Sequence, residues 1–304
     1  MTFKKLLAAG SAIAFMLQGC ATVPTGDTAS VAPAAATSMG PALWKVADDD
    51  TTVYLFGTVH ALPDNVQWYR GAIETALSSS DALVTEIPVS AMQDPAVQQM
   101  IAMKAMLPEG QSLREMLTDQ DRAAYEAALT ALSLPPAAFD RFEPWFAALT
   151  LSVLPLLKNG WTPESGVESV INERAGPDKT RVALETVDQQ MSLFDSLPQD
   201  AQVEYLNAMV RDIDKVVPLM DKMVAEWAAG DADDLATLMN ESMDDPTIAK
   251  ILLHDRNANW AQWIDDRMDQ PGTVFIAVGA GHLAGTKSVQ DYLSARGFTT
   301  TRVQ

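Results

Sequence analysis

Val53-Tyr-Leu-Phe-Gly-Thr-Val-His60 is the stretch whose reading decides the fold. Four apolar or aromatic residues make a short buried strand, and Gly57 then opens a G-x-x-H word that ends on His60. A glycine closing a strand lets the backbone turn sharply, so the residues after it are presented at the strand's carboxyl end. In open α/β sheets that edge is where ligands bind. Downstream, 65–77 has helical spacing, and Ala82-Leu-Val-Thr-Glu-Ile87 reads as a second short strand stopped by Pro88. Strand, loop, helix and strand in that order form a βαβ unit, which requires parallel pairing. Upstream, 43–47 and 51–56 read as two strands joined by the acidic turn Asp48-Asp-Asp50.

The same word returns near the other end of the chain. Thr273-Val-Phe-Ile-Ala-Val278 is followed by Gly279-Ala-Gly-His282, and the chain has only three histidines in all. Between the two words, 92–175 is rich in Ala, Leu, Met and Glu, with prolines at 108, 135, 136, 144 and 155 punctuating a series of helices. The apolar run from Trp145 to Leu157 is too short for a comfortable membrane span and contains Pro155, so it reads as a core helix. A strand at 180–185, a second helical block at 188–268, a helix at 287–296 and a closing strand at 298–303 complete the chain. The expected fold is α/β: a small mixed, mainly parallel sheet built from the N- and C-terminal segments, with a large helical insertion, in one domain over 42–304.

Three strand ends then carry polar groups: His60, Glu86 and His282. Two neutral imidazoles and a carboxylate suit a divalent metal ion with open positions for water. The same groups could work without metal, a histidine acting as general base and the carboxylate orienting it. Each has a structural alternative: Glu86 as an edge residue paired with a cation, the histidines as satisfied loop residues. Trp260, Trp263 and Ile264 form an apolar stripe, and Arg256 and Asn257 fall one turn earlier on the same helical face. Two polar groups so placed must find partners. They either pin a loop and neutralise a buried glutamate, or offer Arg256 to an oxyanion or substrate carboxylate. Glu168, opening a helix, and Glu185, ending a strand, are weaker candidates, and His254 reads as a surface or capping residue.

Residues 1–19 read as a leader, with Lys4 and Lys5 ahead of an apolar run; Leu17-Gln-Gly-Cys20 resembles the lipobox of bacterial lipoproteins, the alternative being a plain secretory signal with a leftover thiol. That resemblance implies lipidation of Cys20, a membrane anchor and a periplasm-facing place in the cell envelope; Ala21 after the cysteine points to the outer membrane. Residues 20–41, rich in Ala, Pro, Thr and Ser, read as a flexible tether. Cys20 is the only cysteine, which excludes disulfides and thiolate metal sites from the mature domain. Without the leader the chain carries 19 basic and 40 acidic residues, which argues against nucleic acid as a partner.

The run Gly279-x-Gly281-x-x-x-Gly285 imitates a dinucleotide fingerprint, but no acidic residue follows at the end of a next strand, so no nucleotide is expected. There is also no G-x-S-x-G, H-E-x-x-H or P-loop. Taken in series, Leu43-Trp-Lys45, Tyr54–His60, Glu86, Gly166-Val-Glu168, Leu184-Glu-Thr186, Trp227–Asp231, Arg256-Asn-x-x-Trp260 and Val278–Gly285 resemble the TraB/GumN family over 42–304. That family is similar to the Tiki metal-dependent peptidases and, more distantly, to erythromycin-esterase-like and haem-binding ChaN-like proteins. The resemblance implies catalytic roles for His60, Glu86 and His282, with Arg256 and Asn257 assisting and Gly57, Gly279 and Gly281 shaping the loops. It implies a divalent ion (manganese, cobalt or zinc) on His60, Glu86 and His282, and a peptide or protein substrate. Its alternatives are a non-catalytic lipoprotein that binds a peptide or haem, and a metal-independent esterase-like hydrolase.

Overall fold

The computed structural model describes residues 40–242 and 246–304. The leader, Cys20 and all but the last two tether residues lie outside the described residues. Gly40 and Pro41 are buried, the Pro41 carbonyl accepting from the Gln304 side chain at 3.1 Å.

Among the described residues, eight strands form two sheets. The main one contains β1 (Leu43–Ala47), β2 (Thr51–Thr58), β4 (Ala82–Thr85), β6 (Thr180–Ala183), β7 (Gly272–Gly279) and β8 (Thr301–Arg302), in the spatial order β6-β4-β7-β2-β1-β8. The four strands β6, β4, β7 and β2 run parallel, while β1 pairs antiparallel with both β2 and β8. The sheet is therefore mixed and mainly parallel, as the sequence predicts. The acidic turn between β1 and β2 is held by Asp48, whose carboxylate accepts the Thr51 N–H at 2.8 Å and the Asp50 N–H at 3.1 Å. A second, two-stranded sheet, β3 (Leu62–Pro63) against β5 (Trp161–Thr162), was not legible in the sequence.

Alternation along the central strands divides the interior into two layers. Phe56, Phe275 and Ala277 point into the larger core, beneath the helices between β4 and β7. Val53, Leu55, Val274, Ile276 and Val278 point to the opposite face, which is covered by the helices Asp255–Met268 and Val289–Ala295 through Trp260, Ile264, Val289 and Leu293. The helix Pro144–Lys158 places Trp145, Leu149, Leu151 and Val153 in the interior. Among the described residues no helix is long and apolar enough to cross a membrane.

Three expectations need adjusting. The first helix spans Ala72–Ser79, not 65–77: Gly71 at φ 62° ends the irregular segment before it, where Trp68 is drawn into the core against Phe56 and Trp227. The closing strand shrinks to Thr301–Arg302. His254 holds the position just before the helix Asp255–Met268 but makes no side-chain cap bond; it ends a π-helical turn, Lys250–His254, that runs straight into that helix.

Candidate functional site

Each of the four parallel neighbours contributes one residue just past its carboxyl end. Glu185 follows β6, Glu86 follows β4, His282 follows β7 and His60 follows β2. All four lie where the topology turns back on itself, at the customary ligand-binding edge. The structure thus brings His60, Glu86 and His282 to one edge, and the helix Asp255–Met268 lays Arg256 and Asn257 against it.

Arg256 is the hub. Its Nε donates to Glu185 Oε1 at 2.8 Å, and its Nη2 donates to Glu86 Oε2 at 2.6 Å and Glu185 Oε2 at 2.9 Å. Its Nη1 donates to the Leu252 carbonyl of the π-helical turn at 3.1 Å and faces His282 Nε2 at 3.0 Å. A guanidinium has five N–H groups, and here all five are taken. The Trp260 ring lies beneath, 4.7 Å from Arg256 Cζ, and its Nε1 donates to Glu185 Oε1 at 3.0 Å. Of the two roles open to Arg256 in the sequence, the geometry supports neutralising buried glutamates. Donating to a substrate would break a bond already made.

Glu86 is equally committed. Oε1 accepts the Gly279 N–H at 2.7 Å, and Oε2 accepts Gln190 Nε2 at 2.8 Å as well as Arg256. Burial alone would raise its pKa, but Arg256 outweighs that, with help from His282, His60 and the Gly279 N–H, and holds it well below the usual carboxylate range. His282 is held from behind: Nδ1 lies 2.6 Å from Asn257 Oδ1, while Asn257 Nδ2 donates to the Lys287 carbonyl at 2.8 Å. Because Asn257 spends its N–H group on Lys287, its oxygen must accept. His282 therefore carries its proton on Nδ1, and Nε2 accepts from Arg256. Burial and then the adjacent Arg256 push its pKa down to about 3, so this imidazole is neutral.

His60 differs. Nδ1 lies 2.5 Å from Glu168 Oε1, a buried ion-pair contact off the axis of a regular hydrogen bond. Thr58 Oγ1 donates to the same oxygen. Burial would lower the His60 pKa, but Glu168 and then Glu86 more than offset it, and it is raised. Two histidines at one edge are thus driven apart, one kept neutral and the other drawn towards its charged form. Sequence reasoning ranked Glu168 low and missed Gln190 altogether. The only clue to either was a polar residue on the buried side of a helix.

The loop glycines act by close approach. Gly57, Gly279 and Gly281 are not among the glycines with positive φ, so the turns expected at the strand-closing Gly57 and Gly279 do not use a left-handed backbone. A Cβ at Gly57 would lie 3.0 Å from Ala280 Cα, and one at Gly279 would lie 3.1 Å from Glu86 Oε1. The tightest position is Gly166, where a Cβ would lie 2.0 Å from the His60 carbonyl oxygen. Together with the Val167 N–H on the Val59 carbonyl (2.9 Å) and the β3–β5 pair, this clamps the His60 loop onto the helical insertion.

Above these groups lies a cavity of about 50 Å³ with a largely apolar wall, reached by His60, Glu86, Arg256 and His282 from the sheet edge. A smaller one of about 30 Å³ lies against His60, Glu86, Glu168 and Gln190. There Glu168 Oε2 and Gln190 Oε1 are buried without a protein partner, and the space suffices for a bridging water. A divalent ion shared by His60, Glu86 and His282 would need lone pairs that are otherwise engaged. His282 Nε2 and Glu86 Oε2 both face the Arg256 guanidinium, which places a fixed positive charge among the donors. Among the described residues, the trio whose donor atoms lie within 4.8 Å of one another is instead Glu226, Asp231 and Asp234. As arranged, the three residues do not fit a cation.

A mixed, mainly parallel sheet with helices on both faces and a buried His–Glu–Arg–His cluster at its carboxyl edge defines an α/β protein with a buried polar centre. The sequence matches the TraB/PrgY/gumN family over residues 42–302, and the chain belongs to that family. No curated protein and no solved structure matches it.

Proposed function

We propose that the protein is a hydrolase of peptides or related carboxylic acid derivatives in which His60, backed by Glu168, activates water. The observation that carries this reading is the division of labour at the sheet edge. Glu86, Arg256 and His282 are tied to one another, whereas His60 reaches the cavity with one ring nitrogen against a buried carboxylate and Nε2 uncommitted to any described residue. In this scheme a water adds its oxygen to the substrate carbonyl carbon and passes a proton to His60 Nε2. Glu168 stabilises the resulting imidazolium, as the carboxylate does in a catalytic triad. The same proton then goes to the leaving nitrogen or oxygen as its bond to carbon breaks. Glu86, Arg256, Glu185 and His282 form a preorganised polar floor that needs no rearrangement.

A second reading keeps the divalent ion on His60, Glu86 and His282. What favours it is that Glu168 and Asn257 each hold a histidine at Nδ1 and turn Nε2 inward, the usual support of metal-ligating imidazoles. A bound ion would supply an acidic water, and Arg256 would have to give way to it.

The test is cleavage of a quenched-fluorescence peptide library and of ester analogues by purified protein, with and without chelator. The reading expects turnover that survives chelation and falls by about 10² or more in His60→Gln. Unchanged turnover in His60→Gln would overturn it. Activity lost to chelator and restored by manganese, cobalt or zinc would support the ion. Peptide or haem binding without turnover would support a non-catalytic receptor. The lipid anchor on Cys20 and the periplasm-facing envelope location belong to the same proposal, since a substrate would then be met outside the cytoplasm.

A further inference from the structure

We infer that the apolar part of the larger cavity is a side-chain subsite that selects a long aliphatic group beside the bond to be cut, with Met239 lying across Gly281 to set its depth. This deepens, and rests on, the hydrolase reading. The charged residues of the cavity all stand at the sheet edge, where Glu86, Arg256 and His282 are tied to one another and His60 is left for the reaction. Away from Gln190 and Thr58 the remaining wall is apolar and includes Leu193, Phe194, Met220, Met223, Met239 and Leu252, from four separate helical segments. An acidic or basic substrate group placed there would lose its hydration without gaining a partner. Three methionines make a compliant lining that suits an unbranched chain better than a rigid ring.

The depth is set at one contact. A Cβ on Gly281 would lie 2.1 Å from Met239 Cε and 3.2 Å from its Sδ. Since the backbone there does not require glycine by its φ, the missing side chain is what lets the thioether lie against the turn. The obstructing atoms are the end of a flexible side chain, so an alanine at 281 would displace Met239 instead of breaking the turn. Displacing Met239 and deleting its side chain should therefore shift the preferred chain length in a reciprocal way.

The experiment compares wild type, Gly281→Ala, Met239→Ala and the double variant on peptides in which one position is alanine, norvaline, norleucine, leucine, phenylalanine, aspartate or lysine. Wild type is expected to favour the aliphatic chains over alanine by at least about tenfold in kcat/KM, the discrimination one or two methylenes provide, and to reject aspartate and lysine. Met239→Ala should move the optimum to a longer chain, Gly281→Ala should change it in a direction that Met239→Ala cancels in the double variant, and circular dichroism should confirm that all are folded. An identical ranking in all four proteins overturns the inference. If wild type cuts nothing, the hydrolase reading fails separately. The subsite is then read by the Kd of dansylamides with two to eight alkyl carbons: a chain-length optimum that moves in Met239→Ala supports it, and a constant one overturns it.

Discussion

Replacing Arg256 by methionine is the most informative single perturbation of this fold. Methionine keeps much of the stem and removes the charge, leaving buried Glu86 and half-buried Glu185 with no cation between them and Leu252 and His282 Nε2 without a donor. Breaking a buried ion pair from one side costs about 3–5 kcal/mol, because the remaining charge stays uncompensated. With two carboxylates stranded, the upper part of that range applies, partly relieved by proton uptake on Glu86. For an m value of about 3 kcal/mol/M in urea, the unfolding midpoint should fall by about 1–1.5 M at pH 7. The loss should shrink as the pH is lowered towards 4, where a carboxylate freed from Arg256 can take up a proton. Equilibrium unfolding followed by tryptophan fluorescence reads both effects, since Trp260 stacks on the guanidinium. A midpoint within about 0.3 M of wild type would refute the reasoning. A loss seen only after chelation would show that a bound cation neutralises the glutamates in solution.

Three further outcomes follow from the same geometry. The His282 pKa is depressed to about 3 from 6.5, and that of Glu86 lies below its ordinary value; in each case the unfolded chain binds more protons. Stability should therefore rise with pH from about 3 to 6.5, whereas His60, with its raised pKa, gives up its contribution as pH climbs above 6.5. Urea midpoints across that span should flatten in His282→Gln, and an unchanged slope would contradict the neutral assignment. Gly166→Ala drives a methyl into the His60 carbonyl and should cost at least 1–3 kcal/mol, more than Gly57→Ala, as thermal unfolding of the two variants would show. In a bacterial host, Cys20→Ala should abolish incorporation of labelled palmitate and release the protein from the membrane fraction; retention of the label would refute the anchor.

The parts of the fold carried by short-range pattern were legible in the sequence. β2, β4, β6 and β7 declared themselves by apolar runs ending in Gly, Glu or Pro, and the order strand–helix–strand then required parallel pairing with a shared edge. His60, Glu86 and His282 were found because they sit immediately after those strands. Glu168 and Gln190 were not, because their partners are remote: Gln190 meets Glu86 across 104 residues, and Glu168 meets Thr58 across 110. A helix-opening glutamate has an adequate local reason to exist, and nothing local reveals a distant imidazole. The five-fold saturation of Arg256 was hidden for the same reason, since it depends on β4, β6, β7 and a π-helical turn arriving together. The contact that position 281 leaves room for was not legible either, because steric approach by Met239 leaves no mark on the glycine's own neighbours in sequence.

The position of β7 between β2 and β4 also bears on the order in which the protein assembles. β2 pairs with its neighbour β7 along its whole length, and Thr51 Oγ1 donates to the Gln270 carbonyl over a separation of 219 residues. Until residues 272–279 emerge from the ribosome, β2 and β4 have no central strand to join them, and the interior faces of Val53, Leu55 and Val84 have no cover. A nascent chain of 250 residues can form helices and the β1–β2 hairpin but cannot close the sheet. Such long-range pairing slows folding, so closure is set by the last part of the domain to be made. The histidine edge accordingly needs β7 in place, and a chain that ends before β7 cannot carry it.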